Sequence, residues 1–169
     1  MHTYRHKASP GLRVTTFDLP DKQSEALANF KAEGLEDHLS FIGGNVFEQI
    51  PQGYDTVLIK HFLDMFDKSD VIRILTGVHT ALNTGGTVHI LVPVYPENIK
   101  DTDNYNVDFF PAFFIGAAMG QGGPQKLSTY QHWLEECGFK VTQAITKNPA
   151  DIPPDVIPVQ AILTATKTT

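Results

Sequence analysis

The chain alternates short apolar runs with amphipathic stretches. Residues 12–18 (LRVTTFD) are β-branched and stop at Leu19-Pro20, which predicts a first strand. Asp21 stands where it would cap a helix running to about Lys31, with Gly34 as its left-handed terminator. Residues 39–42 (LSFI), closed by Gly43-Gly44, predict a second strand, and residues 54–59 (YDTVLI) predict a third, buried on both faces.

The clearest helix follows. Asp67 is a good N-cap, and Val71, Ile74, Leu75, Val78 and Leu82 recur at helical spacing on one face. Residues 83–86 (NTGG) end it and turn the chain into a strand over 87–94. A polar loop over 96–106 and an aromatic helix over 109–119 come next. Residues 128–131 (STYQ) predict a capping box that opens a helix ending at Gly138. Strands over 139–145 and 159–165 flank a connection carrying Pro149, Pro153, Pro154 and Pro158.

Strands that alternate with helices predict an α/β fold: an open, doubly wound, mostly parallel sheet. No helix separates the last two strands, so they are expected as an antiparallel pair at one edge.

At 169 residues the chain has the length of one domain, and with 41% hydrophobic and 19% charged residues it has ordinary globular composition. The net charge of −6, without a basic stripe, argues against nucleic acid as a partner. Cys137 is the single cysteine, which excludes an internal disulfide and fits a reducing, cytoplasmic setting. The first seven residues (MHTYRHK) lack the apolar core of a signal peptide, and the longest apolar stretch, 109–119, is too short to span a bilayer. A soluble protein with no membrane partner is expected.

No Cys/His cluster has zinc spacing, so no metal is expected, and there is no G-x-S-x-G elbow. His2 and His6 read as a frayed terminus, His79 and His132 as helix-surface residues, His89 as a satisfied strand histidine and Trp133 as core.

In a doubly wound sheet, ligands bind beyond the carboxyl ends of the strands. The candidates there are Asp18, Gly44-Asn45, residues 60–64 and the loop after Val94. An acid at a strand tip accepts both hydroxyl protons of a ribose, but Asp before a helix is as often a cap; for Asp18 both readings stand.

Several motifs occur together in order. Residues 14–20 (VTTFDLP) precede 34–39 (GLEDHL), 44–51 (GNVFEQIP) and 54–63 (YDTVLIKHFL). Then come 73–75 (RIL), the Gly85-Gly86 turn and 136–139 (ECGF). From about Pro10 onward, this pattern resembles the carboxyl-terminal catalytic domain of the S-adenosylmethionine-dependent small-molecule O-methyltransferases, the plant caffeate-type and bacterial polyketide-tailoring class. The resemblance implies a Rossmann-like methyltransferase sheet and S-adenosylmethionine as cofactor. It implies that Asp18 holds the ribose hydroxyls and that Asn45 stands where the family has an Asp for the adenine amino group. Val46 and Phe47 would pack on the adenine, and Lys60 would be the strand-tip lysine beside the donor. Asp108, Phe109 and Phe113 could wall a small-molecule pocket, but an aromatic cluster at helical spacing is more often core, or here a surface left bare for a missing domain.

Three departures follow. The family's glycine-rich loop and first strand would lie before Pro10, where this sequence offers a nine-residue tail. Residues 10–169 are therefore expected to form an incomplete catalytic domain that lacks its central strand, its donor cradle and the family's amino-terminal dimerisation domain. Donor binding is then weak or absent. The strands ending at Asp18 and Lys60 either pair directly or take a strand from a homo- or hetero-oligomeric partner.

Second, counting four residues from Lys60, where the family has its general-base His, reaches Asp64. That carboxylate is either an altered acid/base or an exposed loop carboxylate or cap. His61, if on the strand, would point away from Lys60. Third, the acid that steadies the family's His aligns with Val92.

The expected function is O-methyl transfer to a hydroxylated aromatic or polyketide-like metabolite, impaired or partner-dependent. The alternatives are a non-methylating enzyme on the same fold (decarboxylase, hydroxylase or pericyclase type) and a non-catalytic subunit that completes a partner. A NAD dehydrogenase is a weaker rival because G-x-G-x-x-G is absent.

Overall fold

A computed structural model describes residues 11–95, 97, 122–146 and 160–168. The chain divides into two compact units, one up to Pro51 and one from Gln52 onward. The expected aromatic helix, the 96–106 loop apart from Glu97, most of the proline-rich connection, and Asp108, Phe109 and Phe113 lie outside the described residues.

In the first unit, β1 (Val14–Asp18) leads through a 3-10 turn (Pro20–Lys22) into α1 (Gln23–Ala32) and then β2 (Leu39–Gly43). The two strands pair in parallel, from Val14 opposite Leu39 to Asp18 opposite Gly43. Asp21 does not cap α1: it lies inside the 3-10 turn, because Pro20 sets φ for that turn one residue before the helix. Asp18 instead accepts the Leu19 N–H at 2.7 Å. Gly34 does end α1, at φ +64°, a left-handed conformation that costs a residue with a Cβ more than glycine. Leu35 follows it and is buried, whereas no side chain of α1 is.

The second unit runs β3 (Tyr54–Lys60), a 3-10 turn (Leu63–Met65), α2 (Lys68–Ala81), β4 (Leu82–Tyr95), β5 (Gln125–Lys126), α3 (Leu127–Glu136), β6 (Phe139–Thr146) and β7 (Gln160–Lys167). The strand order is β3-β4-β7-β6, with β5 added to the end of β4. β3 and β4 are parallel, and β7 is antiparallel to both β4 and β6, so the expected antiparallel edge pair is present.

The core has the periodicities that sequence predicts. On α2, Val71, Ile74, Leu75, Val78 and Ala81 are buried; on β4, Val88, Ile90, Val92 and Val94 alternate inward; β7 adds Ala161, Leu163 and Ala165. Asp67 caps α2, accepting the Asp70 N–H at 3.0 Å. Trp133 and Leu134 of α3 are also buried.

Four expectations are corrected. β3 is not covered on both faces: of its residues only Ile59 is buried, and Leu58 is 64% exposed, because the face that carries Leu58 has no packed layer over it. The 83–86 segment does not stand outside the sheet; β4 begins at Leu82, and Gly85 and Gly86 fall in the register shift between the Tyr54–Leu82 and Thr56–Thr87 pairs. His79 is not a plain helix-surface residue: its ring meets the Phe139 ring edge-on at 5.1 Å, and its buried Nε2 has no hydrogen-bond partner. The expected capping box is also absent. Ser128 is the second residue of α3 rather than its cap, and its N–H and hydroxyl both donate to Glu97 from a distant loop (2.8 and 2.7 Å).

His89 is satisfied as expected, its Nδ1 lying 3.0 Å from Thr164 Oγ1. Among the described residues β1 pairs with β2 in the first unit, and β3 with β4 in the second. No helix among the described residues is long and apolar enough to cross a membrane.

Candidate functional site

In the first unit, the parallel register brings the ends of β1 and β2 side by side, placing Asp18 next to the loop that carries Asn45. The Gly44 N–H donates to the Asp18 main-chain oxygen at 2.9 Å. Gly44 is where this close approach needs glycine, since a Cβ there would come within 2.5 Å of the Phe17 ring. The Asp18 side chain is exposed and spends one acceptor on Leu19, which leaves a carboxylate further acceptor capacity.

Asn45 shapes its own loop. Its Oδ1 accepts the Phe47 N–H at 3.0 Å, its Nδ2 donates to Glu48 Oε1 at 3.2 Å, and its main-chain oxygen accepts the Glu48 N–H at 2.9 Å. Val46 and Phe47 are half-buried within that turn. An exposed carboxylate and a side-chain amide on adjacent strand ends fit the ribose and adenine of a nucleoside cofactor. The Asn45 carbonyl already serves the loop, so it has one lone pair to offer an adenine amino group.

In the second unit, Lys60 closes β3 and is exposed. His61 leaves the strand with φ +49°, a left-handed conformation uncommon for a residue with a Cβ. Its N–H donates to the Leu91 main-chain oxygen at 2.8 Å, and its Nε2 lies 2.8 Å from Gln160 Oε1 at the start of β7. Strand alternation therefore does not govern where the His61 ring points.

The chain then folds into the 3-10 turn that carries Asp64. Met65 and Phe66 N–H groups close it on Phe62 and Leu63 oxygens (3.2 and 3.3 Å), and the Phe62 and Phe66 rings meet edge-on at 4.9 Å. Gly122 packs against the Met65 main chain so closely that a Cβ would collide with it.

Asp64 is 4% exposed, the only buried charged residue among those described, and its Oδ1 has no hydrogen-bond partner. Of its two sequence readings, the exposed loop residue is excluded. Burial raises its carboxyl above the usual range, outweighing its own main-chain N–H and the nearby His61, which both lower it. Tyr130, on the buried face of α3, also has an unpartnered hydroxyl; burial and the Asp64 charge push its ionisation far up, so it stays a phenol.

Asp18, Asn45, Val46 and Phe47 thus group in one unit and Lys60 with Asp64 in the other. Tyr130 was missed from sequence, where it reads as one residue of a capping motif; nothing local signals its hydroxyl. Val92 is fully buried and apolar, and offers Asp64 no hydrogen bond. No group of three or more His, Cys, Asp or Glu side chains among the described residues is arranged to hold a metal ion.

Residues 4–140 match the O-methyltransferase domain family. The chain is 30% identical over 138 residues to a mitomycin biosynthesis 6-O-methyltransferase of Streptomyces lavendulae, covering 82% of this chain and 38% of that protein. It superposes on the solved structure of the mitomycin 7-O-methyltransferase MmcR with a TM-score of 0.77 and 27% identity, covering 98% of this chain and 45% of the other. The fold is shared with human N-acetylserotonin methyltransferase, solved in complex with SAM, at a TM-score of 0.70 and 17% identity, over 99% of this chain and 44% of that one. The chain spans less than half the length of these relatives. With the family matched over most of its length and an α/β sheet of that kind, this chain belongs to the O-methyltransferase domain family.

Proposed function

We propose that this chain serves S-adenosylmethionine-dependent methyl transfer to a hydroxyl of an aromatic or polyketide-like small molecule, with Asp64 as proton acceptor. The observation that carries the reading is the buried Asp64 carboxyl with an unpartnered oxygen, four residues beyond the end of β3. Burial lifts its basicity above that of a free carboxylate, the direction a general base needs.

Bound, the donor supplies a methyl group on a sulfonium. Asp18 holds its ribose hydroxyls, Asn45 its adenine amino group, and Val46 with Phe47 flank the base. Asp64 would take the proton of the acceptor hydroxyl, readying that oxygen to receive a methyl group. Lys60 lends positive charge to the developing oxyanion. No step requires a metal, nucleic acid or a membrane, and the reaction belongs in the cytoplasm.

Transfer is expected to be slow, since a carboxylate is a weaker base toward a phenol than imidazole even when raised. It is also expected to depend on a partner. β1 is paired only through β2 and β3 only through β4 among the described residues, and each leaves an edge of N–H and C=O groups suited to an added strand from an oligomeric partner.

A second reading is favoured by the same raised carboxyl: held neutral, Asp64 would act as an acid in a non-methylating reaction of decarboxylase, hydroxylase or pericyclase type. Incubation with S-adenosylmethionine and a catechol, followed by product mass, separates the two. A gain of one methyl group supports transfer; a converted product without it supports the alternative.

A further inference from the structure

His61 is the one residue other than glycine with a positive φ among the described residues, at +49°. Histidine tolerates the left-handed region better than most side chains, yet the conformation still costs free energy and persists only where its surroundings hold it. Two contacts do so. Its N–H donates to the Leu91 main-chain oxygen at 2.8 Å, which extends the β3–β4 ladder one step beyond the Lys60–Leu91 pair. Its Nε2 donates to Gln160 Oε1 at 2.8 Å; an amide oxygen only accepts, so this ring nitrogen carries the proton. Gln160 opens β7 opposite Pro93 of β4, so the ring reaches across β4 and straps the tip of β3 to the next strand but one.

We propose that His61 is a positioning residue for Asp64: its left-handed backbone, pinned by Leu91 and by the Gln160 strap, aims the turn that carries the carboxyl into the interior. This rests on the reading of Asp64 as the acid/base group. It assigns the placing of that group to the backbone that leads into it, with no side-chain contact to the carboxyl required.

The path of the chain supports the assignment. Lys60 and His61 are exposed, but two residues further Leu63 is 1% exposed, and Asp64 after it 4%. Continued strand geometry would send successive side chains to alternate faces and carry the chain straight on. A left-handed residue breaks that direction at once. The Leu63–Met65 turn then closes, with the Met65 N–H on the Phe62 oxygen at 3.2 Å. Gly122 packs against the Met65 main chain, which leaves the turn little room to settle elsewhere. The strap itself is exposed, and an exposed neutral hydrogen bond adds little net stability because water replaces it. Its consequence is location: it fixes where the chain turns inward, three residues ahead of the carboxyl.

The test is a carbon-13 NMR titration of the side-chain carboxyls in the full chain, with Asp64 identified by its loss in Asp64→Asn. Burial holds the Asp64 carboxyl up while the His61 charge pulls it down, so the first variant leaves the imidazole in place. Gln160→Leu removes the acceptor and keeps the bulk. Asp64 is expected to titrate lower than in the parent by roughly half to one pH unit, as the turn loosens and water reaches the carboxyl, with Tm nearly unchanged. A second pair isolates the backbone. His61→Asn and His61→Val both lack the charge, but only the β-branched valine resists the left-handed region. Asp64 should titrate lower in His61→Val than in His61→Asn by a similar margin. If Gln160→Leu leaves Asp64 titrating as in the parent or above it, or if the two His61 variants titrate alike, His61 merely packs and the proposal is overturned. The titration needs no turnover, so its outcome is independent of whether methyl transfer is detected.

Discussion

Glu97 is the described residue whose effect on the second unit can be worked out most directly. It lies beyond β4 and grips α3 thirty-one positions later, one carboxylate oxygen accepting the Ser128 N–H at 2.8 Å and the other its hydroxyl at 2.7 Å. Lys126, the N-cap residue of α3, makes no side-chain cap bond, so Glu97 acts as the cap from outside. Loss of a capping side chain costs typically ~1 kcal/mol, and because Glu97 is exposed the lower half of the observed range applies. For a chain of this size, Glu97→Ala is then expected to lower Tm by about 1–4 °C.

Ser128→Ala removes only the hydroxyl bond and should cost less. The double variant should fall short of the sum, since both changes break one contact. The Ser128 N–H and then its hydroxyl hold the Glu97 carboxyl below its usual range. A depressed carboxyl stabilises the folded state above its unfolded pKa and loses that contribution as pH falls through the folded value. The gap between parent and Glu97→Ala should therefore be full at neutral pH and close on acidification. Thermal unfolding by circular dichroism reads all of this. Glu136→Ala serves as control, removing a Lys68 ion pair at 3.3 Å between side chains 57% and 42% exposed, worth ~0.5 kcal/mol or less. Equal Tm for Glu97→Ala and the parent at neutral pH would refute the clamp.

Three further outcomes are expected. Burial, the main cause, raises the Asp64 carboxyl, so the folded state binds that proton more tightly than the unfolded chain; the stability it confers is present below the unfolded pKa and lost as pH rises through the folded value. Asp64→Asn should thus gain on the parent in Tm as pH increases, and a gain that grows on acidification would reverse the assignment. Leu75→Ala, at a fully buried position of α2, should cost about 2–5 kcal/mol in urea unfolding, with a loss below 1 kcal/mol showing the core to be placed wrongly. Gly44→Ala must displace the Phe17 ring from 2.5 Å and should weaken nucleoside binding by calorimetry; unchanged affinity would remove that strand end from the cofactor site.

The sequence made legible what is local. The buried stripe of α2, the β4 alternation, the Asp67 cap and the antiparallel β6–β7 pair all follow from spacing and end signals. What it hid depends on distant partners. Ser128 looks like a cap until Glu97 arrives from another segment, and the apolar run of β3 reports strand propensity rather than covered faces. His61 leaves strand geometry through a left-handed residue secured by Leu91 and Gln160, neither of them near in sequence. Asp64 was found by counting from Lys60, but its burial, which decides between loop carboxylate and acid/base, is a property of packing alone.

Methyl transfer from S-adenosylmethionine to a catechol, followed by product mass in the parent, Asp64→Asn and Asp64→His across about pH 5 to 9, bears most directly on Asp64 as the base. The expected result is slow methylation in the parent, a loss of about 100-fold or more in Asp64→Asn, and recovery in Asp64→His with an imidazole-like pH dependence. Methylation by Asp64→Asn at the parent's rate would contradict it.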